Sequence, residues 1–339
     1  MIFPPTIDGL ALGLGGAPLG NLFTALSNVQ ASDLLDHVLV QGCRTFDTAP
    51  HYGKGLSERR IGDALRPISR LNYVLSTKVG RLLKPSADAP RDQHSYVDVL
   101  PFVQRYDYSF DGTLRSVEDS LQRLGLASFD VAYIHDMDVA THGKNASDIF
   151  KAVMAGAIPA LQRLKEEGVI KAFGLGVNDP QICVDVMQQA HLDCLMLAGR
   201  YSLLDQSGLT TLLPLCEQAG TRVALGGVFN SGILATGVRG LQRASFDYSP
   251  ASAEVVFRAG LIENVCEEFA VPLRAAALQF PLAHNAVEIV MLGTRNIAEW
   301  DDACNMMRHV IPTAFWTALK VRGLLPDNAP VPSPLGNAS

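Results

Sequence analysis

The stretch CRTFDTAPHYG, residues 43–53, shows the two features on which the fold prediction depends. A short strand-like run at 43–46 is followed at once by a segment rich in chemically active side chains. Seven further short, largely apolar runs lie at 10–14, 73–77, 129–134, 172–177, 194–198, 222–225 and 287–292. Near-continuous hydrophobicity is typical of strands that are buried on both faces. The sequence therefore predicts eight parallel strands covered by helices.

Helical patterns occupy the segments between these runs. Asp111 is the expected N-cap of a helix that stops at Gly125, Asp179-Pro180 opens another helix, and a third covers 157–167. Eight alternations of strand and helix are compatible with a closed (β/α)8 barrel or with a doubly wound sheet. In the segment Gly13-Leu14-Gly15-Gly16-Ala17-Pro18, a proline stands where a dinucleotide fingerprint needs its third glycine. The Rossmann interpretation therefore fails.

The composition indicates a globular protein that acts on a small molecule. The 339 residues are 48% hydrophobic and 18% charged, with a formal net charge of −6. No block of Lys and Arg suggests a nucleic-acid or membrane partner, and no run is long enough to span a bilayer. Six scattered cysteines indicate buried thiols in a reducing compartment, and without a signal-like N-terminus we expect a cytoplasmic protein. The histidines show no metal-binding spacing, so we expect no metal.

Catalytic groups of a barrel lie where its strands end, so the residues at those positions are the candidates. Asp47 and Tyr52 follow the second strand, Lys78 the third and His135 the fourth. Together they provide a proton donor of high intrinsic pKa, a cation, a carboxylate that can hold the cation and an imidazole that can orient a carbonyl. The set is more informative than any of its members.

The run 47–53, with Glu58 opening the next helix, resembles the best-known motif of the aldo-keto reductases, and the resemblance extends from Leu10 to about Asn305. It implies a single-domain (β/α)8 barrel that binds NAD or NADP. It also implies that Tyr52 exchanges a proton with the substrate oxygen, that Lys78 lowers the pKa of Tyr52, that Asp47 orients Lys78 and that His135 binds the substrate oxygen.

The same resemblance implies cofactor contacts at later strand ends. The residues in question are Asn178 and Tyr201, the glycine-rich Gly227, Phe229, Asn230, Ser231 and Gly232, and the last segment's Gly293, Thr294, Arg295 and Glu299. Asn178 is the candidate for the nicotinamide carboxamide. Tyr201 is a candidate stacking partner, because the family's usual aromatic position is glycine here. Glu299 stands where relatives carry a basic residue, which favours NAD over NADP.

The boundaries expected are a barrel over 1–323, with an insertion at about 79–110, and a proline-rich tail over 324–339. We expect the tail to be poorly ordered. The insertion offers six candidates for substrate contact: Arg81, His94, Tyr96, Arg105, Tyr106 and Tyr108.

Within the family, the chain most resembles the aldose and L-fucose or L-galactose 1-dehydrogenases and pyridoxal 4-dehydrogenase. This implies NAD-linked oxidation of an anomeric carbon, of the L-fucose, L-galactose or D-arabinose type, to a lactone. Pyridoxal oxidation to 4-pyridoxolactone, NADPH-dependent aldehyde reduction and a cofactor-binding regulatory subunit are the alternatives. A monomer or a homodimer is expected.

Overall fold

The computed structural model describes residues 2–4, 9–239 and 244–333. In this part of the chain the strands are β1 (Leu12–Gly15), β2 (Thr45–Asp47), β3 (Val74–Val79), β4 (Arg81–Pro85), β5 (Phe102–Tyr106), β6 (Val131–His135), β7 (Ala172–Val177), β8 (Cys194–Ala198), β9 (Arg222–Gly226), β10 (Ser245–Phe246), β11 (Ser249–Pro250) and β12 (Val287–Leu292). Eight of them close a barrel in the order β1-β2-β3-β6-β7-β8-β9-β12, and all neighbours are parallel. The predicted (β/α)8 barrel is confirmed.

Helices surround the barrel: α1 (Asn28–Val40), α2 (Leu56–Leu65), α3 (Phe110–Leu124), α4 (Val139–His142), α5 (Ala146–Ala152), α6 (Ile158–Glu166), α7 (Pro180–Met187), α8 (Leu212–Ala219), α9 (Ile233–Thr236), α10 (Ala253–Glu268), α11 (Leu273–Gln279), α12 (Ile297–Arg308) and α13 (Thr313–Val321). Helix α3 stops at Gly125 as expected, but its N-cap is Ser109, whose hydroxyl accepts the Gly112 N–H, and not Asp111. The N-cap lies two residues earlier than predicted. The sequence could not decide between the two positions, because serine and aspartate cap equally well.

The barrel has a packed interior and one sealed end. Tyr133, Met196 and Met291 fill the interior together with Phe3. The backbone N–H groups of Ile2 and Phe3 donate to Glu288 Oε2 at 3.0 and 3.1 Å, at the start of β12. Because all eight strands run in one direction, this contact lies at the amino-terminal end of the barrel. The carboxyl-terminal end is left for a functional site.

The insertion at 79–110 contains an antiparallel hairpin, β4 paired with β5, which the sequence did not reveal. Leu324, Leu325 and Ala329 are almost completely buried, so the first part of the tail is anchored at these three residues. Apolar side chains among the prolines provide this anchoring, while the expectation for Pro334 onward lies outside the described residues. No described helix is long and apolar enough to cross a membrane.

Candidate active site

The ends of β2 and β3 place a carboxylate beside a lysine. Lys78 Nζ donates to Asp47 Oδ2 at 2.6 Å and to the Thr48 carbonyl oxygen at 2.9 Å. Ser76 Oγ donates to the other carboxylate oxygen of Asp47 at 2.7 Å. Both charged side chains are buried. A buried ion pair is tolerated when its geometry is close and its remaining polar atoms are bonded, and both conditions hold here.

Tyr52 lies next to this pair. Lys78 Nζ is 4.6 Å from the centroid of the Tyr52 ring, which stacks on Tyr96 with a centroid distance of 6.0 Å. Burial, followed by the charge of Asp47, raises the pKa of Tyr52 well above 10. Burial is the largest of these influences, so the expectation that Lys78 lowers the pKa of Tyr52 stays a prediction. The Tyr52 hydroxyl bonds to no other residue in the described part of the chain.

His135, the last residue of β6, stands edge-on to Tyr52, with ring centroids 6.2 Å apart. Its Nε2 lies 3.3 Å from Asp136 Oδ2, and its carbonyl oxygen accepts the Tyr108 hydroxyl at 2.8 Å. Burial and the charges of Arg81 and Lys78 lower the pKa of His135 well below 6.5. The imidazole is therefore neutral near pH 7 and can hydrogen-bond a substrate oxygen without adding charge.

A polar relay that the sequence analysis did not assign runs beside Tyr52. Arg81 is paired with Asp136, and its Nη1 donates to Gln104 Oε1 at 2.9 Å. Gln104 Nε2 lies 2.6 Å from His51 Nδ1. The ring of His51 is 6.3 Å from that of Tyr52 and 5.9 Å from that of His135. His51 was visible within the motif, whereas nothing in the sequence distinguished Gln104.

A second hairpin, β10 with β11, covers part of the mouth of the barrel. Arg200 Nη2 donates to Asp247 Oδ2 in its turn at 2.7 Å, and Arg200 Nε donates to the Asn178 carbonyl oxygen at 2.8 Å. Tyr248, the next residue of the turn, packs against Phe23 with ring centroids 6.2 Å apart. Tyr248 is 56% exposed, and burial followed by the charge of Asp136 raises its pKa.

The glycine-rich segment after β9 forms a concave backbone. Gly227 and Gly232 have φ values of 64° and 99°, and a Cβ added to Gly232 would have no neighbour within 4 Å. Ser231 Oγ accepts a backbone N–H from the hairpin turn at 2.9 Å, while Phe229 packs against the core. The side-chain amide of Asn178 bonds to nothing within the described ranges. Open glycine backbone of this kind allows phosphate groups to approach.

Two of the expected cofactor residues pack or bond inside the protein and are not available to a ligand. Tyr201 is 1% exposed, with its ring packed between Phe280 at 5.1 Å and His284 at 5.7 Å. It has no free face, so the expected nicotinamide stacking is wrong. Asn230 is equally buried; its amide donates to the Gly199 carbonyl oxygen at 3.1 Å and accepts the Ser202 hydroxyl at 2.5 Å. Its side chain joins the loops after β8 and β9, so it is not available to a ligand.

The segment after β12 differs between its two halves. A Cβ on Gly293 would lie 2.9 Å from Pro18 Cδ, and buried Thr294 Oγ1 has no partner in the described residues. Arg295, in contrast, is paired within the segment: its Nε and Nη2 donate to Glu299 Oε1 at 2.9 and 2.6 Å, and its backbone N–H donates to Glu299 Oε2 at 2.8 Å. The carboxylate thus neutralises the cation of this segment.

Comparison with known proteins decides the family. A model of the aldo/keto reductase family matches residues 11–321. The chain belongs to the aldo/keto reductase family. This aldo/keto reductase is 42% identical over 325 residues to pyridoxal 4-dehydrogenase of Microbacterium luteolum, covering 93% of this chain and 94% of that protein. It is 36% identical over 323 residues to D-threo-aldose 1-dehydrogenase of a Pseudomonas species, with the same coverage.

Solved structures support the same fold. A holo aldo-keto reductase from Bacillus halodurans is 23% identical, with a TM-score of 0.70 and coverage of 95% of this chain and 94% of that one. Glycerol dehydrogenase from Gluconobacter oxydans is 20% identical, with a TM-score of 0.71 and coverage of 97% and 95%. The aldo/keto reductase described here is an NAD(P)-dependent oxidoreductase that acts on CH–OH donors.

The residues present fit such a cofactor. Thr294 Oγ1 is a buried polar atom without a partner in the described chain, and the space around Gly232 is open. Gly20 is required nearby for a different reason: an added Cβ would lie 2.4 Å from the carbonyl carbon of Tyr52, so only glycine lets the loop after β1 pass over the tyrosine backbone.

The structure separates the six candidates of the insertion. Arg81 and Tyr96 line the cleft, and His94 packs against His51 with ring centroids 6.1 Å apart. The Tyr108 hydroxyl donates to the last carbonyl oxygen of β6, and Tyr106 stacks on Tyr108. Arg105 is exposed and paired with Asp107. The insertion therefore supplies a wall of the active site.

Proposed function

We propose that Tyr52 exchanges the proton at the substrate oxygen, that His135 holds this oxygen and that Lys78, fixed by Asp47, adjusts the electrostatics around the tyrosine. The observation that carries the proposal is the unbonded Tyr52 hydroxyl beside a neutral imidazole, with the buried Lys78–Asp47 pair 4.6 Å from the ring. When bound, the nicotinamide would take the hydride from the reacting carbon.

The proposed reaction is NAD-linked oxidation of a cyclic hemiacetal to a lactone, with an aldose as the substrate. The relatives support this class, because an aldose and pyridoxal both form cyclic hemiacetals by internal addition of a hydroxyl to the aldehyde. The cleft supports it as well: aromatic rings of Tyr52, Tyr96 and Tyr248 beside polar His51 and Arg81 suit a flat polar ring.

Pyridoxal is the second candidate, and two observations favour it. The pyridoxal 4-dehydrogenase is the more similar of the two relatives described above, at 42% against 36% identity. The aromatic rings of Tyr52 and Tyr96, stacked with an interplanar angle of 23°, also suit a planar aromatic substrate.

For the cofactor we propose NAD in preference to NADP. Arg295 is the cation of the segment after β12 and is bonded three times to Glu299, so it offers little attraction to a 2′-phosphate. Asn178, Gly227, Gly232 and Thr294 are the proposed cofactor contacts. We further propose a cytoplasmic monomer or homodimer without nucleic-acid or membrane partners, consistent with its free cysteines.

The test is the initial rate of NAD and NADP reduction with L-fucose, L-galactose, D-arabinose and pyridoxal, with the lactone identified by mass spectrometry. We expect NAD-linked oxidation that Tyr52→Phe reduces by about 10²–10⁴-fold, because the phenyl ring cannot transfer the proton. Cofactor binding followed by fluorescence should be unchanged in that variant.

Reduction of simple aldehydes by NADPH without any lactone would leave the catalytic residues in place and exclude the proposed substrate class. Cofactor binding without turnover on any substrate would instead indicate a regulatory subunit.

A further inference from the structure

Two imidazoles lie beside the ring of Tyr52, and only one of them, His135, was expected. The second, His51, lies 5.9 Å from His135 and 6.3 Å from Tyr52 by ring centroids. It is held from the insertion hairpin, because Gln104 on β5 and Arg81 on β4 both place nitrogen atoms near its Nδ1, at 2.6 and 3.4 Å. A side chain fixed this firmly has one orientation toward the cleft.

The relay determines which His51 nitrogen carries the proton. Arg81 can only donate, so the Gln104 atom that faces it at 2.9 Å must be the amide oxygen. The amide nitrogen of Gln104 then faces His51 Nδ1, which must accept. Because Nδ1 is an acceptor, the proton of neutral His51 resides on Nε2. At the far end of the relay, Asp136 anchors Arg81.

The environment also keeps His51 uncharged. Burial, then the charges of Arg81 and Lys54, lower the pKa of His51 to about 2. His51 Nε2 bonds to no described residue and is not among the fully buried polar atoms without a partner, so it keeps some exposure. His51 therefore presents one fixed N–H donor beside the reacting centre at any physiological pH.

We propose that His51 Nε2–H donates to the ring oxygen of a cyclic hemiacetal and so makes His51 the residue that selects this substrate form. A hemiacetal carbon bears two oxygens: a hydroxyl, which both donates and accepts, and a ring oxygen, which only accepts. Tyr52 and His135 match the hydroxyl, and a neutral imidazole donor matches the ring oxygen. An open-chain alcohol or aldehyde has no such second oxygen.

The inference rests on the proposed function and concerns positioning of the substrate, not proton transfer. The ring oxygen accepts the bond in the bound substrate as well as in the transition state. Its loss is therefore expected to raise KM more than it lowers kcat.

The test reverses the direction of the hydrogen bond between residue 104 and His51 Nδ1, with a substitution of nearly the same shape. In Gln104→Glu both side-chain oxygens accept, so the introduced carboxylate would accept from Arg81 and from His51 Nδ1–H, and Nε2 would lose its proton. We expect kcat/KM for the best hemiacetal to fall about 10–100-fold, mainly through KM, because two acceptors would then face each other. Reduction of benzaldehyde, which lacks a ring oxygen, should change less than about threefold.

Two controls make the result specific. Gln188→Glu adds the same charge at an exposed position at the end of α7 and should change neither activity. Nitrogen-15 NMR of histidine-labelled enzyme, with the His51 signal identified from His51→Phe, should show the proton on Nε2 in the wild type and on Nδ1 in Gln104→Glu.

Equal losses on hemiacetal and aldehyde, or a wild-type proton on Nδ1, would overturn the role of His51 while leaving the proposed function intact. A wild type that oxidises no hemiacetal would overturn the proposed function, and the inference with it.

Discussion

Lys78 and Lys54 are both buried lysines near Tyr52, but their surroundings differ. Lys78, at the end of β3, donates to Asp47 at 2.6 Å and to the Thr48 carbonyl oxygen at 2.9 Å. Lys54, in the loop after β2, is 0% exposed, and its ammonium has no hydrogen-bond partner among the described residues. The difference shows that burial alone does not make a lysine part of the proposed proton-transfer machinery, because what matters is the partner that fixes its charge.

The unpaired lysine also has consequences. Burial, then the charge of Arg81, lowers the pKa of Lys54 to about 8, and Lys54 in turn helps to lower the pKa values of His51 and His94. Lys54 thus adds to the effect of burial, which is the main reason that the neighbouring imidazoles are neutral.

Of the variants that test this difference between the two lysines, Lys78→Met is expected to have the largest effect. Removing the ammonium leaves Asp47 buried without its cation, which should lower the free energy of unfolding by about 3–5 kcal/mol. Urea denaturation measures this difference. Adding Asp47→Leu should recover most of the loss, since a buried pair can be replaced by apolar groups at little cost. A single variant as stable as the wild type would contradict the importance of the pair.

The second prediction concerns Lys54→Met, which we expect to be more stable than the wild type. Lys54 has a pKa of about 8 in the folded protein against 10.5 when unperturbed, so below pH 8 its charge is carried at a cost of about 3 kcal/mol. Between pH 8 and 10.5 the unfolded chain binds the additional proton, so wild-type stability rises relative to the variant.

The advantage of Lys54→Met should therefore be greatest at pH 7 and close toward pH 10.5. The groups that interact with Lys54 are Arg81, His51 and His94, and the two histidines remain neutral over this range. Thermal and urea unfolding of both proteins at pH 7, 9 and 10.5 measure the difference. A variant less stable than the wild type at pH 7 would show that Lys54 has a stabilising partner.

The smallest effect is expected at an exposed pair, Arg295–Glu299, whose side chains are 57% and 33% exposed. Glu299→Gln removes the carboxylate charge that occupies Arg295, so kcat/KM for NADP relative to NAD should rise about fivefold, the scale of a solvent-exposed ion pair. Stability should hardly change. Glu254→Gln, in the exposed first turn of α10, is the matched control. An unchanged cofactor ratio would remove Arg295 from cofactor selection.

The sequence predicted eight parallel strands because strands buried on both faces appear as separate apolar runs, and the resemblance of residues 47–53 to a family motif then favoured the closed barrel. It also located Asp47, Tyr52, Lys78 and His135, because strand ends converge in a parallel barrel. It did not predict Tyr201 correctly, since a tyrosine in a core and one at a site look alike in sequence. The insertion hairpin was not predicted, because its strands are only partly buried and mix apolar with charged residues.

The sequence by itself thus determined the eight parallel strands and the four residues at their ends, because these depend on patterns local to each strand, and its motif resemblance indicated the family and with it the barrel. Only the tertiary structure decided the partners of the buried charges. It brings Gln104 to His51, Arg81 to Asp136 and Tyr248 to the mouth, and it leaves Lys54 without a partner in the described chain. Such pairings depend on distances between segments far apart in the chain, which no local pattern encodes.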